Sequence, residues 1–377
     1  MAVCFTVLIA LGISLGCSST SEPPATAPAE TRTPYNLQTI GLLIEPGPAA
    51  DIGYRIGWAS PIQLLPKQEI TSVVALDDLV FVVESPKNVV TALKASDGEL
   101  VWKVNLGSDI ESLFQPSRDA NEVYVHSASR FWTLNARTGE VTAVAPLASP
   151  VSSHAVYSPE TRLAIMSGTD GLVFAHSVVS NFSRWQYRLA NRITSSAVLA
   201  GQDVFVVDSG GTYAMLETAN GNPLWRNRTL GPVGTQPSIL GSEVVVASRD
   251  GKLYAINRTT GRDTWKYLGA EQPLAASPFA LGRLIVQPLF PNEGIVAIDS
   301  INGEEIWRTD ITANPVVTRQ RDMLLHTDDQ LLSIDLDDGE LGPVVATLPL
   351  QTVVPVGTDG SILLVSPKGQ LLKLTPQ

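Results

Sequence analysis

A single short pattern recurs along this chain and restricts what it can fold into. Gly-x-x-x-Trp occurs at Gly98/Trp102, Gly221/Trp225, Gly261/Trp265 and Gly303/Trp307. Asn181/Trp185 repeats it with Asn, the other residue that tolerates a left-handed backbone. "LNARTGEVTAV" (134–144) and "IDLDDGELGPV" (334–344) keep the glycine, Gly139 and Gly339, and lose the tryptophan. The turn residues 98, 139, 181, 221, 261, 303 and 339 are spaced about 40 apart, the size of a four-stranded propeller blade.

The text before each turn repeats as well. "SILGSEVVVASRDGKLYAINRTTGRDTW" (238–265) breaks at Gly241, Asp250-Gly251 and Thr260-Gly261 into four runs with the apolar content of strands. Hairpins need positive φ, so Gly, Asn and Asp gather at the breaks. Val, Ile, Leu and Tyr fill the runs, as strands covered on both faces require. Such a sheet cannot stand alone, and stacking copies around an axis buries both faces. The outer-strand tryptophans would dock each blade on the next. The reading predicts no amphipathic helix after residue 35.

Seven turns give seven blades. The last segment, 352–377, holds three strands and lacks an outer strand, while "YRIGWASPI" (54–62) offers Trp58 with no repeat of its own. The expected fold is therefore all-β: an eight-bladed propeller of four-stranded antiparallel blades over 54–377, closed by the N-terminal strand. Trp58, Trp102, Trp185, Trp225, Trp265 and Trp307 are its docking residues, and Trp132, outside the pattern, is core.

The N-terminus reads differently. Residues 2–16 form an apolar run without charge, too short for a comfortable transmembrane helix and suited to a signal-peptide core over 1–16. Cys17 follows Leu15-Gly16 and resembles a lipobox cysteine, which makes it the expected lipidation site, although Ser14 stands where Leu is usual and no Lys or Arg opens the chain. "SSTSEPPATAPAETRTP" (18–34) cannot bury a core, so residues 17–53 are expected to be a disordered or extended tether. Cleavage before Cys17 would remove Cys4, the other cysteine, leaving the body without a disulfide or thiolate site. The expected place is the cell envelope, on a lipid anchor and facing the periplasm from the outer membrane, with a soluble secreted form as the alternative.

The net charge is −11, which repels nucleic acid and anionic lipid at long range. His126, His154, His176 and His326 are scattered without metal-ligand spacing. "DLDDGE" (335–340) lacks the spacing of a calcium loop and aligns with the repeat turns. Beyond the apolar N-terminal run, whose "GISLG" (12–16) is part of the leader pattern, no G-x-S-x-G nucleophile elbow is present, and the chain has no phosphate loop or H-E-x-x-H. In blade six, "VQPLFPNEG" (286–294) replaces a tight turn. Leu289 and Phe290, between two prolines, are candidates for a partner contact, against the plainer reading that the loop folds over the next blade.

"LYAINRTTGRDTW", "VTALKASDGELVW" (90–102) and "IVAIDSINGEEIW" (295–307) resemble the repeat of the pyrroloquinoline-quinone-type β-propellers. Within that family, the Cys17 tether, the lone Trp58 and the three-strand ending resemble the BamB-like lipoproteins of outer-membrane β-barrel assembly. That resemblance implies a monomeric, non-catalytic scaffold with protein partners and no cofactor. The family's quinone- and Ca²⁺-dependent dehydrogenases carry a vicinal cysteine pair that this chain lacks, so an enzyme is the lesser alternative, beside a ligand- or glycan-binding propeller.

Overall fold

The computed structural model describes residues 42–107, 111–289 and 293–377. Cys17 and most of the expected tether lie outside them, as does Phe290.

The described strands form eight four-stranded antiparallel sheets arranged as blades. Blades 1 to 7 span residues 69–105, 117–146, 156–188, 198–228, 238–267, 279–309 and 314–346, each pairing its strands in chain order. Blade 8 takes three strands from 352–376, and Tyr54–Pro61 is its fourth, paired antiparallel with Gln370–Pro376. The first strand of blade 8 lies beside those of blades 1 and 7, so the ring closes where the sequence required it.

The middle strands of each blade are almost wholly buried and the outer strands alternate. Blade 1 shows why. Leu79–Ser85 and Val89–Lys94 have neighbours in the sheet on both sides and blades on both faces, and their runs of Val, Phe and Leu match that setting. Among the described residues the core resolves into eight clusters, one for each seam between adjacent blades.

Two expectations need correction. Residues 42–53 are not a free tether. Leu43 and Ile44 are each 2% exposed, and Pro46–Asp51 forms a short helix packed against the outer strand of blade 7 and Tyr54–Pro61. The Leu42-Leu43-Ile44 run supplies the apolar surface that makes this packing favourable. Leu289 is not an exposed tip either. It is 2% exposed and packs with Leu274 and Ile285 in the seam between blades 5 and 6. The Glu293 N–H donates to the Leu289 carbonyl at 2.9 Å, and the Leu289 N–H donates to the Gly294 carbonyl at 2.8 Å.

Candidate interaction surface and the seams that build it

The repeated tryptophans fix the geometry of the perimeter. Each stands on an outer strand, and its indole crosses to the next blade. There the Nε1–H donates to a backbone carbonyl: Trp58 to Ala95, Trp102 to Ala136, Trp185 to Thr218, Trp225 to Arg258, Trp265 to Ser300 and Trp307 to Leu336, at 2.7–3.1 Å. The acceptor lies three residues before the turn glycine of that blade in every case. The ring covers the glycine itself. A Cβ on Gly98, Gly139, Gly221, Gly261, Gly303 or Gly339 would lie 2.5–2.7 Å from the indole of the preceding blade. All six have positive φ. The glycine thus answers two demands, the turn and the ring lying on it.

Two seams have no such indole, and each is filled differently. In blade 7 the tryptophan position is Pro343. Blade 8 offers no turn there, because its third and fourth strands come from opposite ends of the chain. Residues 43–52 take the place of the ring, with Leu43, Ile44, Ala49 and Ile52 buried against Val345, Leu350 and Leu374. The Leu348 N–H donates to the Leu43 carbonyl at 2.7 Å, and Arg319 bonds the Ile52 carbonyl while its guanidinium lies 5.2 Å from the Tyr54 ring.

In blade 2 the tryptophan position is Ala143, and the turn facing it in blade 3 carries Asn181 at φ 57° in place of glycine. The residue facing that site from inside blade 3 is His176, where other blades place Leu or Ile. An aromatic cluster fills the rest of the seam: Tyr124, Phe131 and Phe174, with Phe131 4.6 Å from the His176 ring and Tyr124 4.8 Å from Tyr157. Three buried polar atoms lie there: Thr133 Oγ1, which has no hydrogen-bond partner, and His176 Nε2 and Asn181 Oδ1, whose side chains interact with each other. Thr133 is the cross-strand neighbour of Ala143, so all three surround the position an indole occupies elsewhere.

The same seam holds His126. Its Nε2 accepts the Ala155 N–H at 2.9 Å, so the proton sits on Nδ1 and is donated to the Ser127 carbonyl at 3.0 Å. Burial pushes both His126 and His176 down to about 4. His154 and His326 are also lowered, chiefly by burial. These histidines are neutral structural groups at neutral pH, and among the described residues no cluster of three His, Cys, Asp or Glu side chains is placed to hold a metal. Trp132 is buried in the seam between blades 1 and 2.

Two shallow clefts flank the turn 318–322. One, of about 470 Å³, lies between blades 6 and 7 and is lined by Arg283, Arg319 and Arg321 over Leu284 and Ile306. Its neighbour, of about 590 Å³, reaches Asp359 and Gln377. Arg283, Arg319 and Arg321 already pair with Asp299, Asp322 and Asp337, so their charge is neutralised within the protein.

A sequence profile described as outer membrane protein assembly factor BamB matches residues 55–197 and 169–323. The chain belongs to this family. The BamB of Nitrosomonas eutropha is 25% identical over 172 residues, which are 44% of this chain and 42% of that protein. A tetrathionate hydrolase of Acidithiobacillus ferrooxidans is 27% identical over 194 residues, covering 51% of this chain and 36% of the hydrolase. The chain therefore spans less than half the length of these two curated relatives. In three dimensions it is similar to the crystal structure of BamB from Moraxella catarrhalis, with a TM-score of 0.66 and 18% identity over 84% of this chain and 97% of that one. The structural likeness carries the propeller fold, and the profile carries the BamB family.

Proposed function

We propose that this protein is a non-catalytic scaffold in outer-membrane protein assembly, held in the cell envelope by a lipid on Cys17 and acting as a monomer through protein contacts. The match of residues 55–323 to the BamB family carries the reading. The physical design agrees with it. The repeated residues are consumed in locking blades together, which yields a rigid disc whose perimeter and loops can present fixed surfaces. The buried histidines are committed to packing, and the arginine-lined clefts are internally neutralised.

Cross-linking in intact cells followed by purification from membranes tests the role. Recovery of outer-membrane assembly proteins supports it. Their absence, with the protein abundant and intact, overturns it and turns attention to hydrolase and quinone assays. The anchor is tested separately: Cys17→Ser is expected to move the protein from the membrane to the soluble fraction, and unchanged membrane association would remove the lipid from the proposal.

A further inference from the structure

Six seams of the ring are locked by an indole that donates to a backbone carbonyl, and the seam between blades 7 and 8 is closed by residues 43–52. None of the six indole locks ends on a group that titrates. The seam between blades 2 and 3 is built otherwise. Its side-chain bonds from blade 2 to blade 3, and to the loop leading into blade 3, end on titratable acceptors. The Ala155 N–H donates to His126 Nε2 at 2.9 Å, the Tyr157 hydroxyl donates to Asp119 at 2.8 Å, and Arg162 donates to Glu122 at 3.1 Å.

His126 has no spare nitrogen. Its Nδ1–H is given to the Ser127 carbonyl, so a second proton can enter only at Nε2, where it would face the Ala155 N–H and cancel the bond between the blades. His176 stands across the seam, 4.6 Å from Phe131 of blade 2. Both histidines are 1% exposed. The groups around them offer an imidazolium no counter-ion. His154, on the loop entering blade 3, faces His126 and opposes its protonation. Within blade 3, His176 has the neutral strand neighbours Ala164 and Ser183, with Asn181 beside it. On the loop before blade 2, Phe114 stacks on His126 at 4.9 Å, while Glu111 is engaged by Ser127 and Ser129 and has Arg130 nearby. Asp119, Glu122, Tyr124, Tyr157 and Arg162 are bonded among themselves at the opposite end of the strand Glu122–His126.

We propose that the blade 2–3 seam is an acid-sensitive joint: lowering the pH parts blades 2 and 3 at their shared face while the other seven seams keep the ring together. A proton on His126 Nε2 breaks the bond to Ala155, and a charged His176 is pressed against Phe131. Opening relieves both by letting water reach the imidazolium groups. It bares Tyr124, Phe131 and Phe174, which belong to the apolar cluster of this seam. Burial holds both histidines down to about 4 in the closed joint, against 6.5 once water reaches them, so acid favours the open form between those values. The joint is a property of this seam and is independent of the assembly role.

Hydrogen exchange read by mass spectrometry on the intact purified chain, with rates corrected for the intrinsic effect of pH, tests this. Between pH 7 and pH 5 the protection of peptides within 122–135 and 155–177 is expected to fall more than tenfold. One histidine released from 4 to 6.5 on opening gives a factor of about 20 over that interval. Peptides within 243–267 and 295–309, from blades 5 and 6, are expected to keep their protection, and return to pH 7 is expected to restore the loss. His126→Gln/His176→Leu is expected to remove the dependence on pH, whatever its protection at pH 7. If that variant does not fold, Ala143→Trp/Asn181→Gly/His176→Leu, which gives the seam an indole, is expected to keep the joint protected at pH 5. Unchanged protection of blades 2 and 3 at pH 5, an equal loss in every blade, or a loss as large in either variant as in the parent chain would each overturn the proposal.

Discussion

At the scale of the residue, the turn glycines separate into two kinds that look alike in sequence. Gly261 has φ 68°, and a Cβ there would lie 2.5 Å from the Trp225 ring. Gly241 has φ 55° and nothing within 4 Å of a Cβ. Ala at Gly241 incurs only the left-handed backbone, about 1–2 kcal/mol. Ala at Gly261 adds an overpacked ring, a further cost of about 1–3 kcal/mol. Urea titration of the two variants is expected to show the larger loss at Gly261, and equal losses would mean that the indole moves aside freely. The pairing also explains Asn181. It is the turn residue of the seven that is not glycine, and it is the one facing Ala143 instead of a tryptophan. Single Ala143→Trp is therefore expected to destabilise the chain by driving a ring into Asn181, whereas Ala143→Trp with Asn181→Gly and His176→Leu rebuilds the standard lock and recovers the loss. Thermal melts of the single and triple variants check this.

At the scale of the element, the ring shows what a repeat reveals and what it conceals. The strand order, the eight blades and the place of Trp58 were legible because each hairpin turn needs a left-handed residue and each seam needs a filler, so the same letters return every 40 positions. Residues 42–53 were not legible as a packed element. They follow a tether rich in Pro, Ser and Thr, and their own Pro46, Gly47 and Pro48 read as a continuation of it. Their burial comes from a vacancy over Pro343, about 300 positions away, which no local pattern encodes. The run Leu42-Leu43-Ile44 was the available clue. Leu289 was misjudged as exposed for a related reason: two prolines suggest a rigid tip, but its direction is set by Leu274 and Ile285 on its two sides. Leu43→Ala is expected to lower stability by about 2–4 kcal/mol in urea, the usual cost of emptying a packed site. A change below about half a kcal/mol would return the segment to the status of a loose cover.

At the scale of the whole molecule, buried neutral histidines give the fold an acid limit. In the unfolded chain His126 and His176 take up protons near 6.5, whereas in the fold they resist until about 4. Between those values the unfolded state binds more protons, so stability is full above 6.5 and declines as the pH falls toward 4. The His126 shift alone corresponds to about 3 kcal/mol. Melting temperature measured from pH 7 to pH 4 is expected to fall across that window, and His176→Leu is expected to flatten the slope. A melting curve independent of pH would show that the blade 2–3 seam tolerates charge. The ring closure has a consequence in time. Tyr54–Pro61 is made some 300 residues before its mate, Gln370–Pro376. A chain emerging N-terminus first carries an orphan strand edge until those residues have been made. Until the two strands meet, blade 8 lacks its outer strand and the circle of blades cannot be sealed.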